Sequence, residues 1–176
     1  MFLTSNSYSS KEVENLTGLK AYNLRYYAKK GIFPPSLQDS DSPGKYQKHR
    51  YSPVDVLVLQ AVAELKRKGF SFAKIRKVIE YLRANHNLKK PFHAVFDGRR
   101  NVRILTDSKD NFYICYHDHE VVEHLKAGGQ YMLLDVSDMA SDLKDKIRAL
   151  QFYKREQDDK KIKAAVKEKK NTAVAS

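Results

Sequence analysis

Ser9-Ser10-Lys11-Glu12-Val13-Glu14-Asn15-Leu16-Thr17-Gly18-Leu19-Lys20-Ala21-Tyr22-Asn23-Leu24-Arg25-Tyr26-Tyr27-Ala28-Lys29-Lys30 is the stretch whose reading decides this chain. Ser9 or Ser10 can cap a short helix, because a serine oxygen accepts from an otherwise unpaired amide of the first turn. Val13 and Leu16 then share one face. Thr17-Gly18-Leu19-Lys20 forms a tight turn, and a second short helix runs over about residues 21–30, closed by Gly31 and followed by Pro34-Pro35. Two short helices joined by a glycine-containing turn predict a helix-turn-helix. In the second helix Leu24 and Tyr26 are expected to pack inward. That leaves Lys20, Tyr22, Asn23, Arg25, Tyr27, Lys29 and Lys30 on the outer side, a surface with cations and no carboxylate.

Outward from this pair the patterns stay legible. Residues 36–51 are polar, with Ser42-Pro43-Gly44 ahead of Lys45, Lys48, His49 and Arg50, and they read as a basic hairpin or loop with Tyr51 anchoring it to the core. Ser52 and Pro53 supply an N-cap and an N1 proline for a helix over 53–68, striped by Val54, Leu57, Val58, Ala61, Val62 and Leu65 and ended by Gly69. Another helix follows Ser71, with Phe72, Ile75, Val78, Ile79 and Leu82 inward, and Pro91 lies beyond its end. Lys66, Arg67 and Lys68 close the earlier helix, where cations suit its dipole as well as they would suit a polyanion.

The second half changes style. Strand-like runs at 92–96, 102–105, 112–116 and 131–134, with a helix at 118–127 ending in Gly128-Gly129, predict a small α/β unit. From Val136 a helical spacing returns through Met139, Ala140, Leu143, Ile147 and Leu150, fading after Tyr153 into a basic stretch expected to be frayed. The expected organisation is a mainly α N-terminal winged helix-turn-helix domain (1–87), an α/β unit (88–135), a C-terminal helix as candidate dimerisation element (136–157) and a basic flexible tail (158–176).

Charge narrows the partner. The 176 residues carry 33 Lys+Arg against 21 Asp+Glu, a formal +12, which favours an anionic polymer or surface. The excess is +8 in residues 1–83, zero in 84–135 and +4 in 136–176. No apolar run approaches bilayer length, and the first residues lack both a basic and an apolar leader segment, so a cytoplasmic protein is expected. One cysteine, Cys115, cannot build a disulfide framework within the chain and is expected to be a buried small hydrophobe. His117-Asp118-His119 with Glu120, Glu123 and His124 could suggest a metal, but no second cluster completes a coordination shell, and a polar strand end capping the next helix explains it. No metal or other cofactor is expected. With no P-loop, nucleophile elbow or paired carboxylates in evidence, an enzyme is disfavoured.

Tyr8-Ser9-Ser10-Lys11-Glu12-Val13, Leu16-Thr17-Gly18-Leu19, Asn23-Leu24-Arg25-Tyr26-Tyr27 and Gly31-Ile32-Phe33-Pro34-Pro35 together resemble the opening of the MerR (mercury-resistance regulator) family of transcription factors. Arg50-Tyr51-Ser52-Pro53, Asp55-Val56 and Leu65-Lys66-Arg67-Lys68-Gly69-Phe70-Ser71 continue the resemblance in order, over roughly residues 8–83. It implies a winged helix-turn-helix in which Arg25 and Tyr27 meet the DNA backbone and Lys20, Ala21 and Tyr22 lie where base contacts vary. Tyr22 and Asn23 are the candidates for base readout. Lys30 flanks them, and Lys45, Lys48, His49 and Arg50 form the wing. The implied partners are double-stranded DNA, a second copy of the chain and RNA polymerase at a promoter, in a bacterial, nucleoid-associated setting without a membrane. The implied function is sequence-specific regulation of transcription by a dimer on a pseudo-palindromic site, the alternative being an architectural or excisionase-like DNA-binding protein for recombination or partition. The chain departs from the family pattern in having one cysteine, a short middle unit, and Asn85, Asn87 and Pro91 where a coiled coil would begin.

Overall fold

The computed structural model describes residues 7–38, 49–87, 89–107, 109 and 111–174. In chain order the elements are β1 (Tyr8–Ser9), α1 (Ser10–Thr17), α2 (Ala21–Lys29), β2 (Leu37–Gln38), β3 (His49–Tyr51), α3 (Pro53–Arg67), α4 (Phe72–His86) and α5 (Lys90–Phe96). They continue with β4 (Arg103–Asp107), β5 (Phe112–Cys115), α6 (Asp118–Lys126), β6 (Tyr131–Asp135) and α7 (Val136–Val174). The chain divides into two compact units, residues 1–141 and 142–176.

Unit 1 is organised around α3. Pro53 sits in its first turn behind the Ser52 cap, and Val54, Val56, Leu57, Val58, Leu59, Ala61, Val62 and Leu65 are all buried. So many buried positions surround the helix on most sides, and α1, α4 and α5 pack against it. Each fully buried Leu or Val contributes about 1.5–3 kcal/mol relative to exposure, which makes α3 the mechanical reference for everything docked on it.

A buried carboxylate fixes its N-terminal end. Asp55, with no accessible surface, accepts from Ser52 N at 2.8 Å, from Ser36 N at 3.3 Å and from the Ser36 hydroxyl, all at Oδ2. Its Oδ1 faces the Lys89 ammonium at 2.7 Å as an ion pair rather than an aligned hydrogen bond. One side chain thus ties α3 to the residue before β2, the residue after β3 and the segment after α4. The first sheet is antiparallel in the order β1-β3-β2, with Tyr8 opposite Tyr51, and Leu37 opposite Arg50.

The second sheet runs β5-β4-β6, all antiparallel. Its register sets Ile104, Ile114 and Leu134 in one row. Tyr81 of α4 meets the Phe112 ring at 5.9 Å, and Lys74 Nζ donates to Asp107 O at 2.8 Å, so this sheet packs on α4. Arg103 bridges Asp135 at 2.9 Å and Asp118, joining β4, β6 and α6. Cys115 is buried in β5 as expected, and burial pushes its thiol pKa up, with Glu120 adding to the shift.

Two expectations are corrected. The run 92–96, expected as a strand, is helix α5: Pro91 starts it, and Phe92, Val95 and Phe96 fall on one buried face at spacings of three and four. The stretch 158–176, expected as a frayed tail, is helical to Val174. Residues 158–174 hold neither Gly nor Pro and are rich in Lys and Ala, so backbone propensity carries the helix past the end of its apolar stripe. Within unit 2, Leu143 and Ile147 are buried while Phe152, Tyr153 and Ile162 stay exposed. Among the described residues no helix is long and apolar enough to cross a membrane.

Candidate nucleic-acid interface

The helix pair is built by local rules that can be followed bond by bond. Ser9 caps α1 through a reciprocal box: Glu12 N donates to Ser9 Oγ at 3.4 Å, and Ser9 N donates to Glu12 Oε2 at 2.7 Å. Gly18, at φ 76°, ends α1 in the left-handed conformation and donates to Glu14 O at 2.8 Å. The Thr17 hydroxyl donates to Val13 O and accepts from Leu19 N, which stiffens the turn.

Lys20, the N-cap of α2, has no side-chain acceptor to offer. Glu14 supplies one from α1, accepting from Ala21 N at 3.1 Å and from Lys20 Nζ at 3.2 Å. Those bonds hold the Glu14 carboxyl below its ordinary value, with the Ala21 amide the largest cause and Lys20 next. Glu14 sets the angle of α2 and was not singled out from sequence. Its signal was its place one helical turn before Gly18 and seven residues before the start of α2.

On α2 the exposed side is Tyr22, Arg25, Tyr26 and Lys29, spaced three and four apart, with Lys30 beyond them. Tyr22 is 61% exposed and Tyr26 43%. Among the described residues Arg25 has no carboxylate partner, and α2 itself carries none. Lys30 Nζ sits 5.9 Å from the Tyr26 ring centre. Asn23 is half-buried and lines a cavity of about 260 Å³ with Tyr26, Lys66, Phe70 and Phe72.

The expected orientation of the tyrosine pair is reversed. Tyr27, expected outward as a DNA contact, is 4% exposed, and Tyr26, expected inward, is out. Tyr27 lies three residues after Leu24 and shares its face, whereas Tyr26 lies two after it and points away. The Tyr27 ring stacks on Phe72 at 5.7 Å and 9°, and burial raises its pKa. Tyr26 packs on the outer side of the same Phe72 at 4.9 Å.

Behind α2, β3 carries His49 exposed and Arg50 half-buried, while Tyr51 is buried, as its anchoring role requires. Lys45 and Lys48 lie outside the described residues. At the end of α3, Glu64 holds Arg67 in a bidentate pair at 2.6 and 2.8 Å and draws Lys68 to 3.8 Å, so two of the three cations there are already engaged. The His117 segment is a helix start: Glu120 accepts from Tyr116 N at 2.6 Å and His117 N at 3.0 Å, and these amides lower its pKa. His124 packs between Tyr113 and Tyr131, and among the described residues no cluster of three or more metal-binding side chains forms.

Residues 8–82 match the MerR HTH family regulatory protein domain. Two solved structures are similar. One is HiNmlR, described as a MerR family regulator lacking the sensor domain, bound to promoter DNA, at 20% identity over 69% of this chain and 77% of that one, with a TM-score of 0.40. The other is a MerR-family transcriptional regulator from Bacillus cereus, at 17% identity over 82% of this chain and 98% of that one, with a TM-score of 0.37. No curated protein matches. The domain that runs from β1 into α4, 75 of the chain's 176 residues, is thus of the MerR helix-turn-helix type.

Proposed function

We propose that this protein is a sequence-specific regulator that reads double-stranded DNA with α2 and acts as a homodimer on a pseudo-palindromic promoter site where RNA polymerase binds. The observation that carries the reading is the Tyr22-Arg25-Tyr26-Lys29 face: exposed, cationic, free of carboxylates and held at a defined angle by Glu14. A helix entering a major groove needs polar side chains near its N-terminus for base edges and cations on its flanks for phosphates. Tyr22 and Asn23 occupy the first positions, and Arg25, Lys29 and Lys30 the second. Lys20 divides its charge between Glu14 and the solvent. Tyr26 takes the outward place that Tyr27 vacates. His49 and Arg50 supply the flanking wing contacts.

In this reading residues 1–87 are the DNA-binding module of a cytoplasmic protein, 88–135 an accessory unit, and α7 carries the dimer contact. Two recognition helices about 34 Å apart then read successive turns on one face of the duplex. The test is selection from a pool of random duplexes by the full chain, followed by anisotropy titration of the enriched sequences against unselected competitor. Enrichment of an inverted repeat with centres about one turn apart is expected. Absence of any preferred sequence overturns the reading.

A further inference from the structure

A concave cationic site lies apart from α2. A cleft of about 760 Å³ is lined by Asn87 after α4, Lys90 and His93 of α5, Arg99 and Arg100 in the turn after α5, and Tyr116 after β5. No carboxylate is among its described lining residues. Lys90 and His93 are one turn apart on the exposed face of α5, opposite the buried Phe92 and Val95. The arginine turn is fixed by its backbone. Gly98 takes φ 71°, and Arg99 N and Arg100 N both donate to Ala94 O, at 2.8 and 3.3 Å. Arg99 is paired with Asp97, whereas the Arg100 guanidinium lies 5.5 Å from the centre of the Tyr116 ring. Of the two acids nearest in sequence to Tyr116, Asp118 is paired with Arg103 and Glu120 spends its carboxylate on backbone amides.

We infer that this cleft binds a small anionic molecule through a phosphoryl group. Lys90 and Arg100 have no carboxylate partner among the described residues, His93 adds a hydrogen-bonding ring, and like charges gathered in a concavity attract a counter-charge. An arginine fork beside an ammonium suits a phosphoryl group, with the fork giving two parallel donors and the ammonium a point charge. The volume falls in the range of small-molecule sites, whereas a duplex backbone is met by convex or extended surfaces. The site also adjoins the DNA-binding module. Lys89, the neighbour of Lys90, grips Asp55, which holds both ends of the β2–β3 segment. This inference does not rest on the assignment of α2.

The test is calorimetric titration of the full chain at low ionic strength with sodium pyrophosphate, and separately with a 30-base-pair duplex of random sequence. The expected result is saturable pyrophosphate binding, weakened at least tenfold in Lys90→Gln/Arg100→Gln and unchanged in Arg148→Gln, an exposed site in unit 2. Arg100→Lys, which keeps the charge and loses the fork, should give an intermediate loss and serves if the double variant does not fold. Absence of saturable binding overturns the proposal, as does equal binding by wild type and variants. If the double variant loses duplex affinity while wild type ignores pyrophosphate, the cleft is a DNA-backbone contact and the proposal is again overturned.

Discussion

Replacing Asp55 by Ala tests the central joint of unit 1. The substitution removes the acceptor of two backbone amides, Ser52 N and Ser36 N, and of the Ser36 hydroxyl, and it strips Lys89 of its partner. Hydrogen bonds to a charged group contribute about 1.5–3 kcal/mol each, and deleting one member of a buried ion pair costs about 3–5 kcal/mol. These terms overlap. Lys89 keeps a third of its side chain in water, and its ion pair is not an aligned hydrogen bond, so the lower part of that range applies. The expected loss is about 3–4 kcal/mol, a large share of the roughly 5–15 kcal/mol that holds an ordinary domain together. In urea, with a slope of about 2–3 kcal/mol/M, the midpoint should fall by about 1–2 M at constant slope. The same substitution in a Lys89→Ala background should cost about 1 kcal/mol less, because the two groups are coupled. A loss under about 1 kcal/mol, or strict additivity with Lys89→Ala, would refute the role assigned to this carboxylate.

Other outcomes follow from the same geometry. Arg25→Ala should weaken binding to all duplexes alike and lower the slope of log affinity against log salt by about one phosphate contact; an unchanged slope in anisotropy titrations removes Arg25 from the backbone. Tyr27→Ala should cost about 3–5 kcal/mol in chemical denaturation, as for other buried aromatics, whereas Tyr22→Ala should stay within about 0.5 kcal/mol and alter sequence preference; the reverse pattern would restore the orientation expected from sequence. Because Glu14 titrates below its ordinary value of 4.5 when folded, its contribution is present above that value and lost as pH falls through the lower folded one. Wild type and Glu14→Gln should therefore converge in stability on acidification below about pH 4, and a gap that is the same at pH 6 and pH 3 in urea titrations would count against the Ala21 contact.

The helix pair was legible because its rules are local. Ser9, Ser52 and Ser71 cap the helices expected of them, and Gly18 and Gly69 supply the positive φ that ends a helix without penalty. The apolar stripe of α3 announced its burial, and the β4, β5 and β6 runs announced strands. Run 92–96 misled because Phe and Val suit strands as well as helices, and five residues are too few for period alone to separate the two; the preceding Pro91 was the informative residue. The fading seam after Tyr153 was a statement about packing, which says nothing against a helical backbone.

From the sequence alone came a helix-turn-helix with a basic outer face, since caps, turns and periodicity act over four or five residues and are written in order along the chain. Only the tertiary structure decided which of two adjacent tyrosines faces outward: both rings touch Phe72, forty-five residues after Tyr27, and Tyr27 alone is buried there. It likewise decided that Glu14 would start α2, that Asp55 would clasp Ser36 and Lys89, and that Lys90, His93, Arg99 and Arg100 would meet Tyr116 around one cleft. Those are choices of partner made across long sequence separations, where packing rather than local preference selects the contact.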